Sequence, residues 1–233
     1  MGIIASEKDW DDFVVCAEAV ARTPAFEALR DGILEAADLA QSDRVVDLGA
    51  GTGLLTLPAA ERAGRIWAVD ISRSMCDYLV TKAGSADLHN VDPVVASIVS
   101  LPLVDESADV AVSNYCFHHL SNDDKLTALR EVNRVLVPGG RVVIGDMMFS
   151  LALGDGRNRA VVQSKVRAML RKGPAGAWRL ARNGARVLAR RWESPATVRW
   201  WEEALPATGF SEVKVTALDH EGGIAWARKP VAQ

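Results

Sequence analysis

Val45-Val46-Asp47-Leu48-Gly49-Ala50-Gly51-Thr52-Gly53 is the stretch from which the rest of the chain is read. A β-branched run, Arg44 to Leu48, enters a turn with a glycine at every second position, and an apolar segment able to form a helix follows. Glycines let the backbone turn sharply and let a ligand approach the main chain closely. The N–H groups of such a turn, with the N-terminus of the next helix, hold a carboxylate or a phosphate. A dinucleotide fingerprint needs glycine at the sixth position of the run, where this chain has Leu54. By itself the loop is equally compatible with a βα turn that serves only the fold.

The next signal is Asp70, at the end of the following strand and 21 positions after Gly49. A carboxylate there can accept hydrogen bonds from both hydroxyls of a ribose. The Gly-x-Gly-x-Gly form suits the amino-acid end of S-adenosylmethionine better than a pyrophosphate. Loop and acid, in this order and separated by a helix, point together to a nucleoside-bearing ligand.

Working outward, the first forty residues read as helices, with Thr23-Pro24 as N-cap and first helical residue. Phe26, Leu29, Ile33, Ala37 and Leu39-Ala40 recur at near-helical spacing. Strand-like runs stand at Arg65 to Val69, Asp109 to Ser113 and Arg141 to Ile144, the last after a helix Asp123 to Val137 closed by Pro138-Gly139-Gly140. Strands separated by helices predict a parallel sheet covered on both faces. Ser194-Pro195 is expected to open a helix through Leu205, and Glu212 to Leu218 and Ile224 to Arg228 an antiparallel hairpin turning at Glu221-Gly222-Gly223.

These pieces resemble a known family, the small-molecule methyltransferases that include the ubiquinone/menaquinone biosynthesis enzymes. The resemblance runs from about Asp43 to Asp146. It rests on the glycine loop, Ala68-Val69-Asp70-Ile71-Ser72 with Met75, Leu101-Pro102, Asp109-Val110-Ala111-Val112, and Leu129-Arg130-Glu131-Val132-Asn133-Arg134-Val135-Leu136-Val137-Pro138-Gly139-Gly140. It implies an α/β fold: a Rossmann-like, doubly wound seven-stranded sheet with the last strand antiparallel, to which the insertion before the last helix adds a helical substrate cap read from its own charge and spacing. It also implies S-adenosylmethionine as cofactor. Gly49, Ala50 and Gly51 would border its methionine part, Asp47 support the loop, Asp70 bind the ribose, and Ile71 and Met75 pack beside the adenine. Asn114 joins this set at the end of the fourth strand. Where the family often has Gly-Asp-Ala before Leu-Pro, this chain has Ala96-Ser97-Ile98, so adenine binding would rest on the Ser97 hydroxyl and on Ile98.

The expected organisation is one domain: N-terminal helices forming part of a lid (1–42), a cofactor-binding core (43–147), a basic helical cap (148–193), and a final helix with its hairpin (194–233). Residues 151–192 carry a net charge of +10, leaving −13 on the rest of the chain. Arg179, Arg182, Arg186 and Arg190 fall on one helical stripe beside an apolar stripe of Trp178, Ala181, Ala185, Leu188 and Trp192. Such a cap could close over an anionic or lipid-like substrate, lie on an anionic membrane surface, bind RNA, or merely present a solvated face.

Cys16, Cys76 and Cys116 lack paired spacing and read as small core residues in a reducing compartment; no metal site is expected. No apolar run is long enough to span a membrane and no signal pattern opens the chain, so a cytoplasmic location is expected.

For the chemistry, methyl transfer from an activated cofactor needs mainly alignment, and a base only if the acceptor must first lose a proton. His118 or His119, after the fourth strand, could be that base, and Asp146, ending the fifth, could orient an acceptor. Each also reads as an ordinary loop or strand-end residue. The overall expectation is methyl transfer to a small acceptor, lipophilic or anionic. The alternatives are RNA methylation through the cap, or a relative that binds the cofactor without transferring its methyl group.

Overall fold

The computed structural model describes residues 14–21, 23–149, 156–171, 173–174, 178 and 194–231. Two helices, α1 (Val14–Ala21) and α2 (Pro24–Ala37), precede the first strand. Pro24 occupies the first helical turn after Thr23, as its missing N–H and fixed φ favour. Thr23 caps through its carbonyl, which accepts from the N–H groups of Phe26 and Glu27.

The core then alternates. It runs β1 (Arg44–Leu48), α3 (Thr56–Ala60), β2 (Arg65–Asp70), α4 (Arg73–Ser85), β3 (Val91–Val95) and β4 (Ala108–Asn114). A 3-10 turn (Phe117–His119), α5 (Asn122–Val135) and β5 (Leu136–Met147) follow. After α6 (Gly156–Leu170) come α7 (Val198–Ala207), β6 (Ser211–Ala217) and β7 (Gly222–Arg228).

The seven strands form one sheet in the order β3-β2-β1-β4-β5-β7-β6. The first five are mutually parallel, whereas β7 is antiparallel to both β5 and β6. The chain order reverses between β1 and β4, and in such sheets a crevice opens at that point beyond the carboxyl ends of the strands. Both faces are covered. Val46, Leu48 and Ala111 face α5 and Trp201 of α7, while Val45, Val110 and Val143 face Leu29 and Ile33 of α2. Gly145 is what lets α2 approach so closely, because a Cβ there would lie 2.5 Å from the Ile33 side chain. Among the described residues no helix is long and apolar enough to cross a membrane.

Several boundaries differ from expectation. α5 ends at Val135, and Val137-Pro138-Gly139-Gly140 belongs to β5 instead of closing the helix. Leu136 is already extended, and the register against β4 shifts by a bulge between Ala108 and Val110, which accommodates the proline and the positive φ of Gly139. α7 starts at Val198, not at Ser194-Pro195. Thr197 is the better cap, its hydroxyl accepting from the Trp200 N–H at 3.1 Å. Gly222 and Gly223 lie inside β7, so the hairpin turns just before them.

β3 has no counterpart among the strands expected from the residues. Pro93 argues against a strand, and it is tolerated because β3 is an edge strand. Cys76 is buried and Cys116 partly buried, but Cys16 is exposed, contrary to a core role for all three. The stripe residues Arg179, Arg182, Arg186 and Arg190 lie outside the described residues, as do Ala181, Ala185, Leu188 and Trp192.

Candidate active site

The carboxyl ends of β1, β2, β4 and β5 converge on a cavity of about 500 Å³. All ten residues expected at the cofactor line it, from Asp47 and the glycine loop through Asp70, Ile71 and Met75 to Ser97, Ile98 and Asn114. His118 and His119 line it as well.

The glycine loop is held from below. Gly49 and Ala50 donate their N–H groups to the Val69 carbonyl, at 2.8 and 2.9 Å. Gly51 N–H donates to Asp70 Oδ2 at 2.8 Å, and Ser72 N–H to Asp70 Oδ1 at 2.9 Å. Asp70 is thus already the loop's clamp. A carboxylate offers about four acceptor positions, and Asp70 places at least two of them on the loop and its flank. Gly49, Gly51 and Gly53 all adopt positive φ. A Cβ on Gly49 would strike Cys116, and one on Gly53 would strike Leu79, so those two glycines serve packing. A Cβ on Gly51 would meet no atom of the described residues within 4 Å. With Gly51 lining the cavity, close approach of a ligand accounts for a glycine there.

Asp47 is 1% exposed and accepts from Thr56 Oγ1 at 2.6 Å. Burial drives its carboxyl up to about 7, with the nearby Asp70 charge adding to the rise and the Thr56 bond opposing it. Cys116 and Cys76 are likewise pushed up by burial, Cys76 to about 11, so both stay as thiols at neutral pH. Asn114 Oδ1 is buried and has no hydrogen-bond partner among the described residues. An unmatched acceptor beside the glycine loop and the Asp70 carboxylate fits a ligand with donor groups, and the amino and ribose groups of S-adenosylmethionine are such donors.

Across the cavity from the loop the lining changes character. Phe26 of α2 stacks on Tyr115 with ring centroids 4.0 Å apart, and Leu120 and Met147 continue the apolar wall. His118 sits in this wall, whereas Asp146, which the sequence offers as a separate candidate, is not among the residues that line the cavity and meets it only through His118. They form a buried pair, His118 Nδ1 to Asp146 Oδ1 at 2.6 Å, with His118 4% and Asp146 1% exposed. Asp146 Oδ1 also accepts the Met147 N–H at 2.7 Å. The imidazole of His119 packs against that of His118, centroids 3.9 Å apart.

Three features of the site lie beyond the sequence reading. Tyr115 adopts a φ of 55°, which residue type does not reveal. Phe26 reaches the site from a helix far away in sequence. Lys125 is fully buried and donates to the Leu120 carbonyl at 2.8 Å and the Ser194 carbonyl at 2.7 Å. Burial lowers its ammonium to about 8. A signal for it does exist, since Lys125 heads the buried stripe Ala128, Leu129, Val132 and Val135 of α5, where a lysine is out of place. The Ser194 N–H in turn donates to the His118 carbonyl at 2.7 Å. The segment before α7 is thereby fastened to the histidine turn.

Comparison with known proteins bears on the domain and its fold. Residues 45–140 match the family model described as a methyltransferase domain. An uncharacterized methyltransferase of Schizosaccharomyces pombe, C25B8.09, is 37% identical over 105 residues, covering 45% of this chain and 39% of that protein. The chain spans about half the length, or less, of such curated relatives. Among solved structures, a SAM-dependent methyltransferase from Aquifex aeolicus superposes with a TM-score of 0.65 at 18% identity, covering 94% of this chain and 98% of that one. The [4+2]-cyclase SpnF superposes with a TM-score of 0.69 at 20% identity, covering 96% and 94%. At these identities the shared property is the fold.

Proposed function

We propose that this chain, which carries a methyltransferase domain on the class I S-adenosylmethionine-dependent methyltransferase fold, moves a methyl group from that cofactor to a small-molecule acceptor. The observation that carries the reading is a single cavity joining the Gly49–Gly53 loop and Asp70 to the apolar wall that holds His118. Asp70 and Asn114 would hold the cofactor's polar groups, and Met75, Ile71 and Ile98 would pack on its base. Ser97 stands near that base as a neutral acceptor. When bound, the cofactor supplies a methyl group activated by its sulfonium. The chain's own task is to bind, orient and exclude water, and such alignment can contribute ~7–11 kcal/mol to lowering a barrier. The N-terminal helices contribute Phe26, Cys16 and Ala17 to the cavity lining, which supports their role as part of a lid.

Calorimetric titration with S-adenosylhomocysteine tests cofactor binding. Asp70→Ala should weaken it roughly 10–100-fold, since a hydrogen bond to a charged group contributes ~1.5–3 kcal/mol. Incubation with methyl-labelled cofactor and fractionated cell extract should then place label in the small-molecule fraction. Label in RNA would move the assignment to nucleic acid. Binding with no transfer to any fraction would make this chain a non-methylating relative, as the SpnF likeness keeps in view. Absence of binding would defeat the proposal.

A further inference from the structure

We infer that the methyl acceptor is a molecule with a weakly acidic hydroxyl, a phenol or an enol, on an apolar body, and that His118 removes its proton while Asp146 positions His118. The inference rests on the methyl-transfer reading above and deepens it.

Asp146 Oδ1 already accepts the Met147 N–H, so in its bond with His118 the same oxygen is the acceptor and His118 Nδ1 the donor. Neutral imidazole then carries its lone pair on Nε2. His118 lines the cavity, and the hydrogen bond its ring makes among the described residues goes through Nδ1. Nε2 is therefore the atom left for a ligand. Asp146 is in turn held by the Met147 N–H and fixed on β5, which pairs with strands on both sides. A buried carboxylate behind an imidazole fixes its tautomer and stabilises the imidazolium that forms when Nε2 takes a proton.

Acceptor chemistry selects among the classes. A carboxylic acid is already ionised at neutral pH and has no use for a base. A neutral amine attacks with its own lone pair and sheds its proton afterwards. A phenol or enol hydroxyl is a poor nucleophile until its proton leaves, and a base in the histidine range matches that acidity. The surrounding wall of Phe26, Tyr115, Leu120 and Met147 suits an apolar ring or chain. Asp124, the carboxylate on this side that does line the cavity, is half-buried and is engaged by the helix N-cap, its Oδ2 accepting from Ser121 Oγ at 2.7 Å.

The step balances without a further reactant. The acceptor's O–H bond breaks and its proton passes to His118 Nε2. The oxygen's electron pair forms the new bond to the methyl carbon. The carbon–sulfur bond breaks with its pair retained by sulfur, which becomes a neutral thioether, and the imidazolium later returns its proton to solvent.

The test needs no turnover. The protein saturated with S-adenosylhomocysteine is titrated with 4-nitrophenol, whose ionised form absorbs visible light, across a pH series. The ionisation midpoint of bound probe should lie at least one pH unit below that of free probe. In His118→Asn, whose side-chain amide can still donate to Asp146, the midpoint should return to the free value or above it. Asp146→Asn should give an intermediate midpoint. An unshifted midpoint in the wild type, equal midpoints in wild type and His118→Asn, or no saturable binding of the probe would each overturn the inference. The wild-type titration decides by itself if neither variant folds. Loss of S-adenosylhomocysteine binding would instead count against the methyl-transfer reading, so the two failures are told apart.

Discussion

Replacing Asp47 by asparagine should stabilise the ligand-free protein at alkaline pH and lose that advantage in mild acid. Asp47 is 1% exposed, and its carboxyl sits at about 7 instead of 3.8 because burial disfavours the charge. The sign follows from proton counting. Between pH 4 and 7 the folded state holds a proton on Asp47 that the unfolded state has released, so wild-type stability falls as pH rises through this window and levels off above it. The full shift of about three units corresponds to ~4 kcal/mol at 1.36 kcal/mol per unit. Between pH 5 and pH 8 the accessible part is about two units, or ~3 kcal/mol. The amide of the Asp47→Asn variant does not titrate, and its carbonyl can still accept the Thr56 hydroxyl. Its two N–H groups require new acceptors, which makes the figure a ceiling. Urea unfolding of both proteins at pH 5, 6, 7 and 8 gives the difference directly, with every titrating group not coupled to Asp47 cancelling and the Asp70 coupling included in the difference. The stability of Asp47→Asn relative to wild type should rise by up to ~3 kcal/mol over the series, or about 6–12 °C in midpoint temperature for a chain of this size. A relative stability that does not change with pH would refute the reasoning, since it would mean that Asp47 ionises alike in both states.

Two further predictions separate fold from function. Gly51→Ala adds a Cβ that meets no atom of the described residues, so it should cost only the left-handed penalty of ~1–2 kcal/mol while lowering S-adenosylhomocysteine affinity at least tenfold. Gly49→Ala combines positive φ with a collision on Cys116 and should destabilise by well over ~2 kcal/mol; unfolding curves and calorimetry on both variants check the contrast. Lys125→Met removes the ammonium that ties Ser194 to Leu120. Amide exchange at Ser194 should accelerate at least tenfold, ~1.4 kcal/mol of local stability, while amides of β1 and β2 keep their rates.

The cofactor half of the site is legible in the sequence because its determinants are local. A glycine loop between a strand and a helix, and an acid ending the next strand, form the proposed cofactor site through backbone geometry that residue type constrains. The acceptor half is legible only as separate residues. His118 and Asp146 lie 28 positions apart on different elements, and only the parallel pairing of β4 with β5 brings them together. Phe26 joins them from α2 because Gly145 lets that helix settle onto the sheet, a contact no periodicity encodes. Pro138-Gly139-Gly140 misleads for a related reason. Residues that usually stop a helix also serve a bulged strand, and pairing with Lys229, decided late in the chain, selects between the two. β3 is hidden because strand propensity ignores position in the sheet, and only an edge tolerates Pro93.

The placement of β7 between β5 and β6 bears on how the molecule comes into being. Strands β1 to β4, which carry the cofactor loop, Asp70 and Asn114, leave the ribosome first and find their parallel partners among themselves. β5 emerges with one neighbour already in place and the other, Gly222–Arg228, not yet synthesised. Until that strand arrives, the edge carrying Asp146 presents unpaired backbone groups, the surface through which nascent chains aggregate or pair wrongly. The half proposed to recognise the cofactor can thus mature before the half proposed to recognise the acceptor, and a bound cofactor would act as a ligand of the partly folded chain, favouring the arrangement onto which the final hairpin must dock.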